Sequence, residues 1–212
     1  MKKTSIVLGA SGLIGRLLIL ELLQKSNKVI AILRNDEVYP NEVEKLIINF
    51  DEFINNENLP ICDQIFICIG TTIKQAGSKE EFNKVDYRYA YEFAKKALEV
   101  KASEIHLVSS VGADSKSNNF YLKTKGQIED AILDLKFEYT RIYRPSLLMG
   151  KRSETRLLEK LGQLISPLLN NFLLGNMKKY RSIDAKKVAR SMVYNNEEKS
   201  LKYFYYNDFI IQ

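Results

Sequence analysis

The sequence predicts an α/β fold, a Rossmann-type doubly wound parallel sheet with helices on both faces and a small C-terminal lid. Short apolar segments alternate with longer amphipathic segments over the first 145 residues, as in parallel strands joined by helical crossovers. Three glycines, at positions 9, 12 and 15, follow the first apolar segment and open the first helix. No internal repeat or linker rich in proline and glycine divides the chain, so we predict one domain over residues 1–212.

Each expected element rests on hydrophobic periodicity. Apolar runs bounded by polar or glycine residues predict strands at residues 4–8, 28–33, 46–50, 64–69, 105–108, 139–143 and 202–206. Apolar positions that recur every three or four residues predict helices at 13–25, 79–100 and 120–135. A further helix, capped by Ser182 or Asp184, is expected to run to about Asn195. After Pro145 the alternation of strand and helix patterns becomes less regular. We therefore expect residues 151–200 to form a lid over the cleft at the strand ends.

Composition excludes several classes of protein. No run approaches 18 apolar residues, so no transmembrane helix and no membrane partner are expected. The apolar stretch near the N-terminus contains the three glycines and is therefore interpreted as folded structure, not as a signal peptide. Two cysteines, Cys62 and Cys68, make neither a disulfide framework nor a zinc site, which predicts reduced thiols and a cytoplasmic location.

The charge pattern and the single histidine narrow the chemistry further. His106 lies inside an apolar strand, so we expect a core residue and neither a metal site nor a Ser-His-Asp triad. The net charge is +6, but the lysines are scattered and are not interleaved with aromatic residues. This distribution indicates a solvated basic surface and a cationic pocket, and it predicts no nucleic-acid partner.

The glycine-rich turn after the first strand is typical of a dinucleotide-binding loop. Gly9 permits the tight turn, Gly12 lets the backbone approach a pyrophosphate closely, and Gly15 lets the helix pack on the strand. The start of the helix adds unpaired N–H groups and a partial positive charge for the phosphates. In this context the triplet predicts binding of a nicotinamide dinucleotide.

The ends of the next strands suggest which dinucleotide binds. An arginine at the end of the second strand suits the 2′-phosphate of NADP, whereas an acidic residue would suit the ribose of NAD. Arg34 stands at this position, followed by Asn35 and Asp36, so NADP(H) is predicted over NAD. Asp51, at the end of the predicted third strand, is expected to accept from the adenine amino group, and Gly70 leaves room for the adenine ribose.

Tyr121 and Lys125 lie one helical turn apart and share a face of their helix. Hydride transfer to a carbonyl requires a proton at its oxygen, and a free phenol titrates only at about pH 10. A neighbouring ammonium stabilises the phenolate, which makes a tyrosine useful near neutral pH. A serine at the end of the fifth strand can orient the substrate oxygen; we favour Ser110, with Ser109 as the alternative.

Five stretches of the chain resemble the atypical, extended-like branch of the short-chain dehydrogenase/reductase superfamily. They lie at residues 69–77, 85–86, 107–114, 121–126 and 143–150. The resemblance implies an NADPH-binding Rossmann fold in which Tyr121 transfers the proton and Lys125 is its partner. It implies that the following residues contact the cofactor: Ser11, Gly12, Leu13, Ile14, Arg34, Asn35, Ile69, Gly70 and Arg152.

Two functional hypotheses follow. The first is an NADP-dependent oxidoreductase that acts on a small carbonyl compound or alcohol. The alternative is a non-catalytic module that senses NADPH and contacts a partner protein, although a sensor would not need Ser110, Tyr121 and Lys125 together. The chain fits a monomer and a homodimer equally, the latter paired through the helices at 79–100 and 118–135.

Overall fold

The structure is a computed structural model that describes residues 2–25, 27–150, 173–195 and 200–209. The strands are β1 (Thr4–Leu8), β2 (Lys28–Leu33), β3 (Val43–Ile47), β4 (Gln64–Ile67), β5 (Glu104–Val108), β6 (Tyr139–Tyr143), β7 (Leu148–Met149), β8 (Ile183–Asp184) and β9 (Leu201–Phe204). The helices are α1 (Leu13–Gln24), α2 (Phe50–Asn56), α3 (Ile73–Ala76), α4 (Lys79–Asn83), α5 (Ala90–Glu99), α6 (Phe120–Asp134) and α7 (Ala185–Tyr194). A π-helical stretch at Lys84–Tyr89 and 3₁₀ turns at Gly175–Tyr180 and Tyr206–Phe209 complete the described elements.

Seven strands form one parallel sheet in the order β3-β2-β1-β4-β5-β6-β9. This order confirms the predicted doubly wound Rossmann-type fold. The chain winds outwards in opposite directions from β1, which pairs with β2 on one side and β4 on the other. A crevice opens where the winding reverses, at the carboxyl ends of β1 and β4, and such crevices hold the ligands of these folds.

The core has two layers because side chains of a strand alternate between the faces of the sheet. Ile6 and Leu8 of β1 belong to the layer beneath α2, α5 and α6. Val7 belongs to the layer that α1 and α7 cover. His106 is buried in β5, where its Nδ1 lies 3.0 Å from Tyr143 Oη, so the prediction of a core histidine is confirmed.

The third strand and the long helix differ from the sequence-based expectation. The strand lies at Val43–Ile47 and not at 46–50, because Asn49 starts α2 by accepting hydrogen bonds from two backbone N–H groups of its first turn. The helix predicted at 79–100 is present but contains the π-helical stretch in its middle. Such stretches are rare and occur frequently at functional sites.

Part of the segment predicted as a lid has a different position in the structure. Residues 151–172 lie outside the described residues, so a lid formed by them stays a prediction. Helix α7 instead packs against α1, with Val188 and Ala189 fully buried, and β9 extends the sheet beside β6. Asp184 caps α7 by accepting from the N–H of Lys186, which decides between the two predicted caps. No helix within the described ranges is long and apolar enough to cross a membrane.

Candidate active site

A cleft of about 1220 Å³ opens at the carboxyl ends of the central strands. Most of the residues predicted for a site line this one cleft: Gly9, Ser11, Gly12, Leu13, Ile14, Arg34, Ile69, Gly70, Ser110, Tyr121 and Lys125. Asn35 lines a smaller cavity beside it. Arg152 lies outside the described residues, so its predicted contact stays a prediction.

The glycine loop has the close backbone approaches that the sequence predicts. Gly9 has φ +83°, and a Cβ there would lie 2.4 Å from the backbone nitrogen of Ile69. A Cβ at Gly15 would lie 2.3 Å from the carbonyl oxygen of Gly9, so Gly15 packs α1 on the loop and does not line the cleft. Gly12 caps α1 without a side-chain acceptor, which leaves N–H groups of the first turn available to an anion.

At the end of β2, charged side chains surround the smaller cavity. Arg34 lines both cavities, and its guanidinium lies 6.0 Å from the centre of the Phe50 ring. Asp36, which follows the arginine closely, is paired with Lys45 at 2.5 Å, and this hydrogen bond lowers the pKa of the carboxyl. Glu37 lines both cavities and is paired with Arg16 at 2.5 Å.

Asp51 is not where the sequence placed it. It lies in the first turn of α2, and it is absent from the residues that line the cleft. Its carboxylate is paired with Lys84 at 2.7 Å, and the hydrogen bond from this lysine lowers the pKa of Asp51. The structure therefore corrects the predicted position of Asp51 at a strand end facing the adenine.

Tyr121 and Lys125 enter the cleft from α6, whose start is fixed by Asn119 accepting from the N–H of Leu122. Lys125 is buried and forms an ion pair with Asp86 at 2.8 Å, a residue of the π-helical stretch. The other carboxylate oxygen of Asp86 accepts from the N–H of Thr71 at 2.8 Å, which fixes the carboxylate. Burial alone would lower the pKa of Lys125, but Asp86 in the first place, then Tyr121 and Glu129, raise it.

The two candidate serines both line the cleft at the end of β5. The N–H of Ser109 donates to the carbonyl of Tyr143 at 2.7 Å, which continues the pairing of β5 with β6. The Ser109 hydroxyl is buried without a hydrogen-bond partner among the described residues, whereas the Ser110 hydroxyl is half-buried and donates to the carbonyl of Val111. Both serines therefore stay candidates, with Ser110 nearer to solvent.

Three features of the site were not found from the sequence. In the sequence Asp86 is only one residue of the stretch 85–86, whereas in the structure it lies in the π-helical stretch and pairs with Lys125. Arg16 and Glu37 form an ion pair although they are 21 positions apart, and only their opposite charges could have indicated this pair in the sequence. A Cβ at Gly126 would lie 2.1 Å from the backbone nitrogen of Ser115, so this glycine lets α6 pack beside the preceding loop.

The described residues contain no group of three or more His, Cys, Asp or Glu side chains that could hold a metal ion. The cleft instead holds an ammonium and a phenol from α6, and two guanidinium groups near the end of β2. A glycine loop at a helix start lies in the same cleft. This combination suits a long anionic ligand with a proton-transfer group beside it.

Comparisons of the sequence show clear relatives. Over 172 residues the chain is 36% identical to the FMP52 protein of Lodderomyces elongisporus, a match that covers 74% of this chain and 71% of the relative. It is 34% identical over 164 residues to HTATIP2 of Rattus norvegicus, covering 73% of this chain and 66% of that protein. No protein-family model matches the chain.

Comparisons of the structure place the fold among NAD(P)-binding epimerases and dehydrogenases. The UDP-glucose 4-epimerase of Thermotoga maritima, solved with UDP-glucose, superimposes with a TM-score of 0.72 at 11% identity, covering 95% of this chain and 76% of that chain. Human SDR39U1, solved with NADPH, has a TM-score of 0.65 at 16% identity, covering 95% and 74%. At these identities the likeness shows the fold alone.

The relatives also correct the predicted location. FMP52 proteins of four yeasts, Lodderomyces elongisporus, Candida albicans, Scheffersomyces stipitis and Debaryomyces hansenii, are named as mitochondrial proteins. The prediction of a cytoplasmic location is therefore wrong. It rested on two cysteines, which the structure shows as free thiols, and a free thiol does not distinguish one reducing compartment from another.

Proposed function

Because this chain belongs to the family of the FMP52 proteins and HTATIP2, within the NAD(P)-binding epimerase and short-chain dehydrogenase/reductase superfamily, we propose that it is an NADP(H)-dependent oxidoreductase. Its substrate is a small carbonyl compound or the corresponding alcohol. The observation that supports this most directly is that Tyr121 and Lys125 share one cleft with the glycine loop and Arg34. A proton-transfer group and a dinucleotide cradle are thereby brought together.

The residues of the cleft fit a nicotinamide dinucleotide. Glycine at positions 9 and 15 lets the loop pack closely against neighbouring backbone, and glycine at position 12 would let it run close to a pyrophosphate. N–H groups at the start of α1 would bind the phosphates, and Arg34 with Asn35 would bind the 2′-phosphate. When bound, the nicotinamide supplies or accepts the hydride.

Side chains of the protein carry out the proposed proton transfer. The phenol of Tyr121 donates its proton to the carbonyl oxygen during reduction and takes it back during oxidation. The ammonium of Lys125 stabilises the phenolate that is left, and burial strengthens this interaction because little water screens it. A hydroxyl at the end of β5, from Ser110 or Ser109, orients the substrate oxygen.

The proposed proton transfer is tested with Tyr121→Phe, which removes only the phenolic oxygen. NADPH oxidation is followed with a panel of small aldehydes and ketones, and NADPH binding is measured in parallel by calorimetry. We expect turnover to fall by roughly 100-fold or more while NADPH affinity changes by less than about threefold. Tyr91→Phe is the matched control, because Tyr91 stacks on Tyr87 and does not line the cleft.

Full activity of Tyr121→Phe would contradict the assigned role. NADPH binding without turnover of any panel member in the parent protein would favour the alternative, an NADPH-sensing module. The cofactor preference is tested separately with Arg34→Ala, which should weaken NADPH binding roughly tenfold and leave NADH binding unchanged. Equal weakening of both cofactors would contradict a contact between Arg34 and the 2′-phosphate.

A further inference from the structure

The smaller cavity, of about 130 Å³, carries a feature that the proposed function does not use. It is lined by Ser11, Leu33, Arg34, Asn35 and Glu37. An acidic side chain therefore stands beside the arginine that we assign to the 2′-phosphate. A carboxylate next to a phosphate dianion is unfavourable unless a cation lies between them.

The cation paired with this acidic side chain is Arg16, from the first turns of α1, which lines the larger cleft. Its Nη2 lies 2.5 Å from Oε2 of Glu37, and its Nε donates to the carbonyl of Ser11 at 3.2 Å. The guanidinium also lies 5.5 Å from the centre of the Tyr39 ring. Arg16 is thus held by three neighbours, and only one of them, Glu37, carries a negative charge.

The ion pair is exposed enough to exchange. The side chains of Arg16 and Glu37 are 38% and 34% exposed, and ion pairs of this exposure stabilise a protein by little. A phosphate dianion is a stronger partner for guanidinium than a single carboxylate, because it accepts two parallel hydrogen bonds and carries more charge. The neighbouring acidic residue, Asp36, does not compete, because it is paired with Lys45.

We propose that Arg16 is the second cation for a ribose 2′-phosphate and favours NADPH over NADH, and that its ion pair with Glu37 limits this preference. With NADH, Arg16 stays on Glu37, so the ribose meets a neutral pair. With NADPH, the guanidinium turns from the carboxylate to the phosphate. This inference rests on the proposed binding of NADP(H) but is independent of the proton transfer by Tyr121.

The test uses two fragments of the cofactor that occupy only the adenosine end, adenosine 2′,5′-bisphosphate and 5′-AMP. Calorimetry on the full chain compares the parent with Glu37→Gln, Arg16→Gln and the double variant. We expect Glu37→Gln to bind the bisphosphate on the order of tenfold more tightly, and Arg16→Gln on the order of tenfold more weakly. Binding of 5′-AMP should change by less than about twofold, and the gain from Glu37→Gln should vanish without Arg16.

Glu44→Gln is the matched control, because Glu44 belongs to another exposed ion pair, with Lys28 at 2.9 Å, outside the cleft. It should leave the affinity for both fragments unchanged. A gain from Glu37→Gln that persists in the Arg16→Gln background would overturn the inference, because the carboxylate would then act by direct repulsion. Parallel changes for both fragments would also overturn it, since the pair would then only brace the loop.

The outcomes separate this inference from the proposed function. Fragment binding as expected, in a protein whose Tyr121→Phe variant keeps full activity, would support the role of Arg16 and overturn the proton transfer. Failure of the parent to bind either fragment at millimolar concentration would overturn the cofactor site and this inference together. Binding of both fragments with an unchanged preference in all variants would overturn this inference alone.

Discussion

Removing one partner of the buried ion pair at the proposed catalytic end of the cleft, where Tyr121 and Lys125 lie, should destabilise the fold strongly. The side chains of Asp86 and Lys125 are 1% and 7% exposed, and their charged atoms lie 2.8 Å apart. Asp86→Asn leaves the ammonium without its counter-ion, a change that costs about 3–5 kcal/mol in buried pairs. Because Asn can still accept from Thr71 and the cleft admits water, we expect the lower end, about 3 kcal/mol.

This loss corresponds to a fall in Tm of roughly 6–12 °C for a domain of this size. Urea titration at pH 7.5 measures it, together with Lys125→Met and the double variant. Removing both charges should return the free energy of unfolding to within about 1 kcal/mol of the parent, because no unpaired charge is left. A loss below about 1 kcal/mol for Asp86→Asn, or a double variant as unstable as the sum of the single variants, would refute the reasoning.

The pH dependence of this effect has a definite sign. The pKa of Lys125 is raised in the folded protein from its ordinary value of 10.5. Its contribution to stability is therefore fully present below pH 10.5 and is lost as the pH rises through the folded value. In Asp86→Asn the raising effect of Asp86 is gone, and burial favours release of the lysine proton. The difference between parent and Asp86→Asn should therefore be largest near neutral pH and should shrink as the pH rises towards 10.5.

Two further predictions concern residues that support the site. Gly126→Ala should destabilise the protein by about 1–3 kcal/mol, because its Cβ would lie 2.1 Å and 2.2 Å from backbone atoms of Ser115 and Asp114. Thermal unfolding measures this, and a gain of about 1 kcal/mol, as for an uncrowded helix position, would contradict it. Burial lowers the pKa of His106, so its contribution to stability is present above about pH 6.5 and is lost as the pH falls. The free energy of unfolding of the parent should fall between pH 6.5 and pH 5, and in His106→Gln this fall should be smaller by on the order of 1 kcal/mol. Urea titrations at both pH values measure it, and an equal fall in the two proteins would contradict the prediction.

Local patterns in the sequence were sufficient to predict the glycine loop and helix α6, which carries Tyr121 and Lys125. A Cβ at Gly9 or Gly15 would overlap backbone atoms at 2.4 Å and 2.3 Å, so the glycine pattern reflects contacts that a side chain does not allow and identifies the loop directly. Tyr121 and Lys125 share a helix face by geometry alone. The third strand was predicted in the wrong place because the apolar run up to Phe50 resembles a strand. Asn49 in fact caps α2, so Phe50 begins a helix.

Contacts between distant segments could not be predicted, because they depend on how the elements pack. Asp86 reaches Lys125 only through the π-helical stretch, which has no simple periodicity in sequence. The place of α7 against α1 depends on an amphipathic helix finding a face of the sheet. The less regular pattern after Pro145 predicted a lid. In the structure, residues 185–194 form a helix that covers the same face of the sheet as α1.

Each end of the cleft has an ion pair between a basic and an acidic side chain. The two pairs differ in burial, and we expect this difference to make one pair fixed and the other exchangeable. The pair of Lys125 and Asp86 is deeply buried and costly to break, so we expect it to hold α6 and the π-helical stretch in one arrangement with or without cofactor. The pair of Arg16 and Glu37 is half-exposed, so its partner can be exchanged at little cost in stability. Substitutions at Glu37 should therefore alter cofactor preference without disturbing proton transfer, whereas substitutions at Asp86 should disturb both the fold and the catalytic end.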